Sequence, residues 1–184
     1  MTADPREVRV DFLAASDHGL PGRLGLTQAP GRWRPGRDPS ENLLRTDVAL
    51  LRDAHGADVV VTLLEAFEME RFAIDGLRGV LRRAGIASFW FPIPDVSVPS
   101  SVEATSRLVT RVLRSLARAE TVVVHCLGGL GRSGTIAACC LVATGKAPST
   151  AIEAVRRARP GAIEVPDQER FVERFAAHVG RSRG

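Results

Sequence analysis

Between Thr121 and Val142 the chain reads TVVVHCLGGLGRSGTIAACCLV: a β-branched run, a glycine-rich loop that opens on a cysteine, and an apolar, alanine-rich run. A short β-branched run without polar alternation predicts a strand buried on both faces, as in a parallel sheet. The run after the loop predicts a helix to about Ala143, closed by Gly145 and Pro148. A strand of that kind needs neighbouring strands on both edges and helices over both faces, which places the chain in the α/β class.

The rest of the sequence supplies those neighbours. ADVVVTLL (57–64) predicts a second buried strand and IASFWFPI (86–93) a third. VRVDFL (8–13) alternates like a strand, and RLGLT offers a short one inside the Gly-, Pro- and Arg-rich stretch 16–40. Helices are expected over about 44–55, stopping at Gly56, and over about 66–84, broken near Asp75-Gly76 and ended by Gly85. Ser100 with Glu103 forms a capping-box pattern ahead of Val102, Thr105, Leu108, Val109, Val112, Leu113 and Leu116 at helical spacing. Thr150 and Glu153 suggest a cap for STAIEAVRRAR, and a last helix puts Phe171, Val172, Phe175 and Val179 on one face and stops at Gly180. The alternation predicts a central, mostly parallel sheet flanked by helices, with function at the carboxyl ends of its strands. With 184 residues, 45% hydrophobic and 25% charged, one domain over 1–184 is expected.

Charge narrows the partners only mildly. The net charge of +4 favours anions, but the arginines are scattered, Lys146 is the sole lysine and tyrosine is absent, so no nucleic-acid partner is expected. Four arginines, 23, 32, 34 and 37, share one loop, where solvated charge is the default and recognition of a phosphorylated or acidic partner the alternative. No apolar run has the length of a membrane span, and MTADPREVRVDF has no signal-peptide core, so no membrane partner is expected. Three cysteines, two of them adjacent (Cys139 and Cys140), make a disulfide framework an unsuitable reading and point to a reducing cytoplasm.

The glycine loop has a chemistry of its own. Gly128, Gly129 and Gly131 open backbone angles closed to other residues, so successive N–H groups can converge on an anion. The following helix aims its N-terminus at the same point, and the Arg132 fork matches two phosphate oxygens. That field favours thiolate at Cys126, and a thiolate facing a captured phosphate is a nucleophile. The G-K-[ST] ending of an ATP-type phosphate loop is missing. The four histidines are scattered, with no partner at ligand spacing, so neither metal nor cofactor is expected. For Cys139 and Cys140, core packing is the expectation, with a resolving-thiol role the minor alternative.

At these residues the chain resembles the cysteine-dependent protein phosphatases. HCLGGLGRSG matches their His-Cys-five-residues-Arg-Ser/Thr signature and is most similar to the dual-specificity branch of the cyclin-dependent-kinase-associated type. FPIPDVSVP (91–99) resembles the general-acid loop, RPGAIEVPDQERFV (159–172) the Gln-bearing motif, and APGR with DVALLRDAHGADVVVTLLE the amino-terminal helix and strand, so the likeness covers about 24–176. The resemblance implies a dual-specificity-phosphatase-like single domain with Cys126 as nucleophile. Arg132 and the amides of Leu127, Gly128, Gly129, Leu130, Gly131 and Arg132 would hold the phosphoryl oxygens. Ser133 would help the thiolate leave, His125 would brace the loop, Asp95 would be acid then base, and Gln168 would position water. Asp58, Asp75 and Asp167 are weaker candidates for the acid, and Glu164 is expected to support the fold through buried hydrogen bonds. The expected substrate is a phosphorylated protein or peptide, phosphotyrosine first and phosphoserine or phosphothreonine second. The rivals are a silent phosphate-binding module and a rhodanese-type sulfurtransferase, which would form a persulfide and would not need Asp95.

Overall fold

In a computed structural model that describes residues 8–32 and 43–181, the β-branched runs become one five-stranded sheet. The strands are β1 (Asp11–Phe12), β2 (Arg23–Thr27), β3 (Val59–Thr62), β4 (Ala87–Trp90) and β5 (Thr121–His125), in the spatial order β1-β2-β5-β3-β4. The pairs β2–β5, β5–β3 and β3–β4 are parallel, and only β1 runs antiparallel to its neighbour. β5 is therefore central, and His125 at its carboxyl end sits opposite Thr27 of β2 and Thr62 of β3.

The absence of polar alternation in β5 follows from what covers it. The helices are α1 (Ala15–His18), α2 (Leu43–Asp53), α3 (Ala66–Arg71), α4 (Leu77–Arg83), α5 (Val102–Ala117), α6 (Gly131–Ala143), α7 (Pro148–Ala158) and α8 (Pro166–Arg181). Val122 and Val124 point into one core with Leu24, Val61, Leu116, Ile136 and Phe171, under α5, α6, α7 and α8. Val123 points the other way, into a core with Val60, Val48, Leu51 and Leu81 of α2 and α4. Successive side chains thus meet apolar layers on both sides, each fully buried valine stabilising the fold by on the order of 1.5–3 kcal/mol. α6 is buried from Gly131 to Val142 and packs on α5, α7 and α8, which makes it the axis of its layer.

Helix boundaries depart from the sequence reading where neighbouring residues compete for the cap. Ser101, not Ser100, starts α5: its Oγ accepts from Ala104 N at 3.1 Å and donates to Glu103 at 2.9 Å. α7 begins at Pro148 without a side-chain cap, because proline supplies the helical φ and no N–H needing a partner, so Thr150 and Glu153 lie inside the helix. Gly180 does not stop α8, which runs to Arg181. Arg34 and Arg37 lie outside the described residues.

Candidate active site

The loop from Cys126 to Leu130 joins the carboxyl end of β5 to the first turn of α6. Its glycines do different things. Gly129 alone takes a left-handed φ, +74°, and a Cβ there would lie 2.3 Å from the Thr27 carbonyl oxygen. Gly131 has no positive φ, but a Cβ would meet the Glu164 carboxylate at 2.4 Å. Gly128 faces open space, so the expectation that all three exploit forbidden angles holds for Gly129 only.

The loop's peptide planes are pinned from behind. The Cys126 carbonyl accepts from His125 Nδ1 (3.1 Å), the Leu127 carbonyl from Ala29 N (3.1 Å), and the Gly128 carbonyl from Arg159 Nη2 (2.9 Å). The Leu130 carbonyl accepts from Gly134 N (3.0 Å) and Ile163 N (3.3 Å). In a trans peptide the N–H points opposite to the C=O. The amides of Leu127, Gly128, Gly129 and Gly131 therefore turn away from the scaffold, and among the described residues they have no protein acceptor. Unpaired amides ahead of a helix N-terminus form an anion site.

His125, Ser133, Arg132 and Glu68 cluster around this loop. His125 is fully buried; desolvation, the hydrogen bond to the Cys126 carbonyl acting against it, and the Arg132 charge leave its pKa at about 4. It is neutral near pH 7, so Nδ1 donates to the carbonyl and Nε2 accepts from the Thr62 hydroxyl at 2.9 Å. Ser133 Oγ lies 3.5 Å from Cys126 Sγ. Arg132 is 2% exposed and its guanidinium is gripped by Glu68 in a bidentate pair, Nη1–Oε2 at 2.7 Å and Nη2–Oε1 at 3.0 Å. Nη1 also donates to the Ile93 carbonyl (3.0 Å), and Nη2 meets Asp95 Oδ1 at 2.8 Å. Burial works against the Arg132 charge, but the Glu68 hydrogen bond and the nearby Cys126, Glu68 and Asp95 outweigh it and raise its pKa.

A cleft of about 250 Å³ opens over the loop, lined by Cys126, Leu127, Gly128 and Arg132 together with Asp95, Gln168 and Glu164. Gly129, Leu130 and Gly131 complete the loop behind it without lining it. Gln168 is buried and ties two segments together: Oε1 accepts from Glu164 N (2.8 Å), and Nε2 donates to the Ser97 carbonyl (3.3 Å) in the loop that carries Asp95. Glu164 is exposed on the cleft rather than buried in support of the fold, a correction that follows from the left-handed turn at Ile163 (φ 60°) just before it. Asp58 accepts from Thr121 N at 2.8 Å, capping the amino end of β5, opposite the cleft. Among the described residues no group of three or more His, Cys, Asp or Glu is arranged to hold a metal.

A family profile described as "Tc-R-P: Polymorphic toxin system, DSP-PTPase phosphatase" matches residues 37–146, more than half of the chain. The chain belongs to this phosphatase family. No curated protein matches it in sequence. Among solved structures, the kinase-associated phosphatase KAP, with serine replacing its catalytic-site cysteine, superposes with a TM-score of 0.85 at 22% identity, over 95% of this chain and 97% of that one. PTPMT1 superposes with a TM-score of 0.72 at 20% identity, over 94% and 98% of the two chains, and these two likenesses are of fold. Tk-PTP in its active form gives 0.70 at 26% identity, over 91% of this chain and 96% of that one.

Two residues of this phosphatase's site escaped the sequence reading. Glu68, on α3, looks like any solvated helix carboxylate, yet it is 4% exposed and holds Arg132 from 64 positions away. Arg159 lies in the RPGAIE stretch already matched to the family, but nothing local tells that it reaches Gly128 on one side and Asp11 (2.6 Å) on the other. Cys139 and Cys140 are fully buried; burial pushes the first thiol well up and the second to about 12, so both stay protonated.

Proposed function

We propose that this phosphatase hydrolyses phosphate monoesters of proteins, phosphotyrosine first and phosphoserine or phosphothreonine second, through a phosphocysteine. The observation that carries the reading is the set of unpaired loop amides around Cys126, each fixed by a carbonyl bonded to the scaffold. Cys126 Sγ attacks phosphorus as the thiolate while the ester P–O bond breaks. The loop amides and the free edge of Arg132 hold the equatorial oxygens, and Asp95 gives its proton to the departing oxygen. The Asp95 carboxylate then takes a proton from water, the water oxygen attacks phosphorus, and the S–P bond breaks, with the Ser133 hydroxyl donating to the departing sulfur. Gln168 positions that water.

Nη1 of Arg132 is engaged by Glu68 and Ile93, so the edge formed by Nε and Nη2 is the one offered to phosphate. Asp95 Oδ1 meets Nη2 on that edge at 2.8 Å. Substrate must displace its carboxylate, which frees Asp95 to serve the leaving oxygen. KAP, whose catalytic-site residue is named a cysteine, supports the assignment of Cys126. PTPMT1 has been solved in complex with PI(5)P. For this chain a lipid headgroup is the weaker reading, because loop residues 127–131 supply no cation.

We further read the chain as one phosphatase domain, supported by β1 and α8 joining the same sheet and helical layers from Asp11 to Arg181. Three free thiols support a reducing compartment such as the cytoplasm. Among the described residues no helix is long and apolar enough to cross a membrane. The deciding experiment is turnover of para-nitrophenyl phosphate and a phosphotyrosine peptide by wild type and Cys126→Ser. Wild type should turn over both with vanadate sensitivity; Cys126→Ser should turn over neither yet still bind the peptide. Turnover retained without the thiol would refute the nucleophile, and an inert wild type would leave the silent binding module.

A further inference from the structure

Among the described residues, the rim of the cleft carries one cation that the reaction above does not use. Arg32 lines it beside Cys126 and Gly128. It ends a short turn that is tied to the cysteine loop itself: Ala29 N donates to the Leu127 carbonyl (3.1 Å), and Arg32 N donates to the Ala29 carbonyl (3.3 Å). Gly31, at φ +80°, turns its N–H onto the buried Asp47 carboxylate at 2.8 Å. The backbone that presents Arg32 is thus held by the same scaffold that holds the catalytic loop, whereas its guanidinium has no hydrogen bond or ion pair among the described residues. Arg132, by contrast, has both terminal nitrogens engaged. A half-buried, unpaired guanidinium carried on a pinned backbone beside a phosphate site is a receptor for a second negative group.

The surrounding charges say how much negative charge it can take. Asp95 and Glu164 line the same cleft, so a headgroup with several phosphates would set its extra charges against two carboxylates, with Arg32 the one unpaired cation on the lining among the described residues. A single carboxylate suits the balance. Resting on the phosphatase reading of the site, we propose that Arg32 determines specificity by pairing with the side chain of an Asp or Glu next to the phosphorylated residue of a peptide substrate.

The test uses the full chain and two phosphotyrosine peptides that differ only in Glu or Gln beside the phosphorylated residue. Wild type should favour the Glu peptide in kcat/KM by about tenfold, the size expected of one charge-assisted pair, and the ratio should shrink as salt rises. Arg32→Ala should bring the ratio to about one, and Arg32→Lys should restore part of it because the charge returns without the planar fork. Equal rates on the two peptides in wild type, or a preference that survives Arg32→Ala, would overturn the proposal while leaving the phosphatase reading intact. Absence of wild-type turnover on para-nitrophenyl phosphate would sink both. Faster turnover of a soluble inositol polyphosphate than of the Glu peptide would also overturn the assignment, in favour of a headgroup.

Discussion

The loop that carries Cys126 and the loop that carries Asp95 meet over one cleft, yet they are built in opposite ways. The first holds Cys126 at 4% exposure, and four of its five carbonyls are engaged by β5, the 29–32 turn, α6 and the segment before α8. The second is anchored at its start by Phe91 N to the Thr62 carbonyl, Ile93 N to the Leu63 carbonyl and Arg132 to the Ile93 carbonyl, but leaves Asp95 58% exposed, and from Pro94 on it relies on Ser97 N to the Pro94 carbonyl, the Gln168 bond and the ion pair to Arg132. It also keeps Val96, a β-branched residue, at a left-handed φ of 53°, a conformation that costs on the order of 1 kcal/mol or more. In the proposed mechanism the difference separates two tasks. Binding an oxyanion needs donors that do not reorganise, whereas an acid that becomes a base must reach the leaving group, then water.

The contrast can be broken first from its loose side. Asp95→Ala should lower kcat by about 10²–10⁴-fold, the usual worth of a positioned acid, while the urea midpoint stays near wild type because Asp95 is 58% exposed and Glu68 still pairs with the buried Arg132. A variant with wild-type kcat would mean that another group carries the proton, Glu164 being the other carboxylate that lines the cleft among the described residues. The tight side should respond in the other currency of measurement. Glu68→Ala strands a buried guanidinium and should cost about 3–5 kcal/mol of unfolding free energy, with Glu68→Gln costing less. A loss below about 1 kcal/mol would show that Arg132 has a ready alternative partner and that the loop is less pinned than its hydrogen bonds suggest.

The smallest effect is spread over pH. His125 has a folded pKa of about 4 against an ordinary value of 6.5, so the unfolded chain takes up the proton first as pH falls. Its neutral burial contributes stability that is fully present above pH 6.5 and lost as pH falls from there through 4, to a limit of about 3 kcal/mol. The gap in unfolding free energy between wild type and His125→Asn should therefore narrow across that window; curves that stay parallel would rule out a buried neutral imidazole.

Much of this was legible in the sequence because the signals are local. Buried parallel strands announce themselves as β-branched runs, and Cys126, Arg132 and Ser133 lie within eight residues of one another. Asp95 and Gln168 were found through family motifs, and the structure brings both to the same cleft. What escaped was decided by tertiary contact. Glu68 and Arg159 are ordinary surface types until α3 and the end of α7 are docked, and Glu164 was misjudged because the left-handed turn at Ile163 has no signature in an isoleucine. The start of α5 slipped by one residue because the adjacent Ser100 and Ser101 offer the same capping chemistry, and that of α7 because Pro148 opens the helix with no side-chain cap while the Thr150 hydroxyl advertised one.

The carbonyls of a single five-residue loop are claimed by groups from position 29 to position 163. Affinity for an oxyanion is consequently a property of the assembled chain and of no fragment of it. A dye-labelled phosphate analogue would light up only after the last third of the polypeptide has docked, which turns the catalytic cradle into a built-in sensor of completed folding.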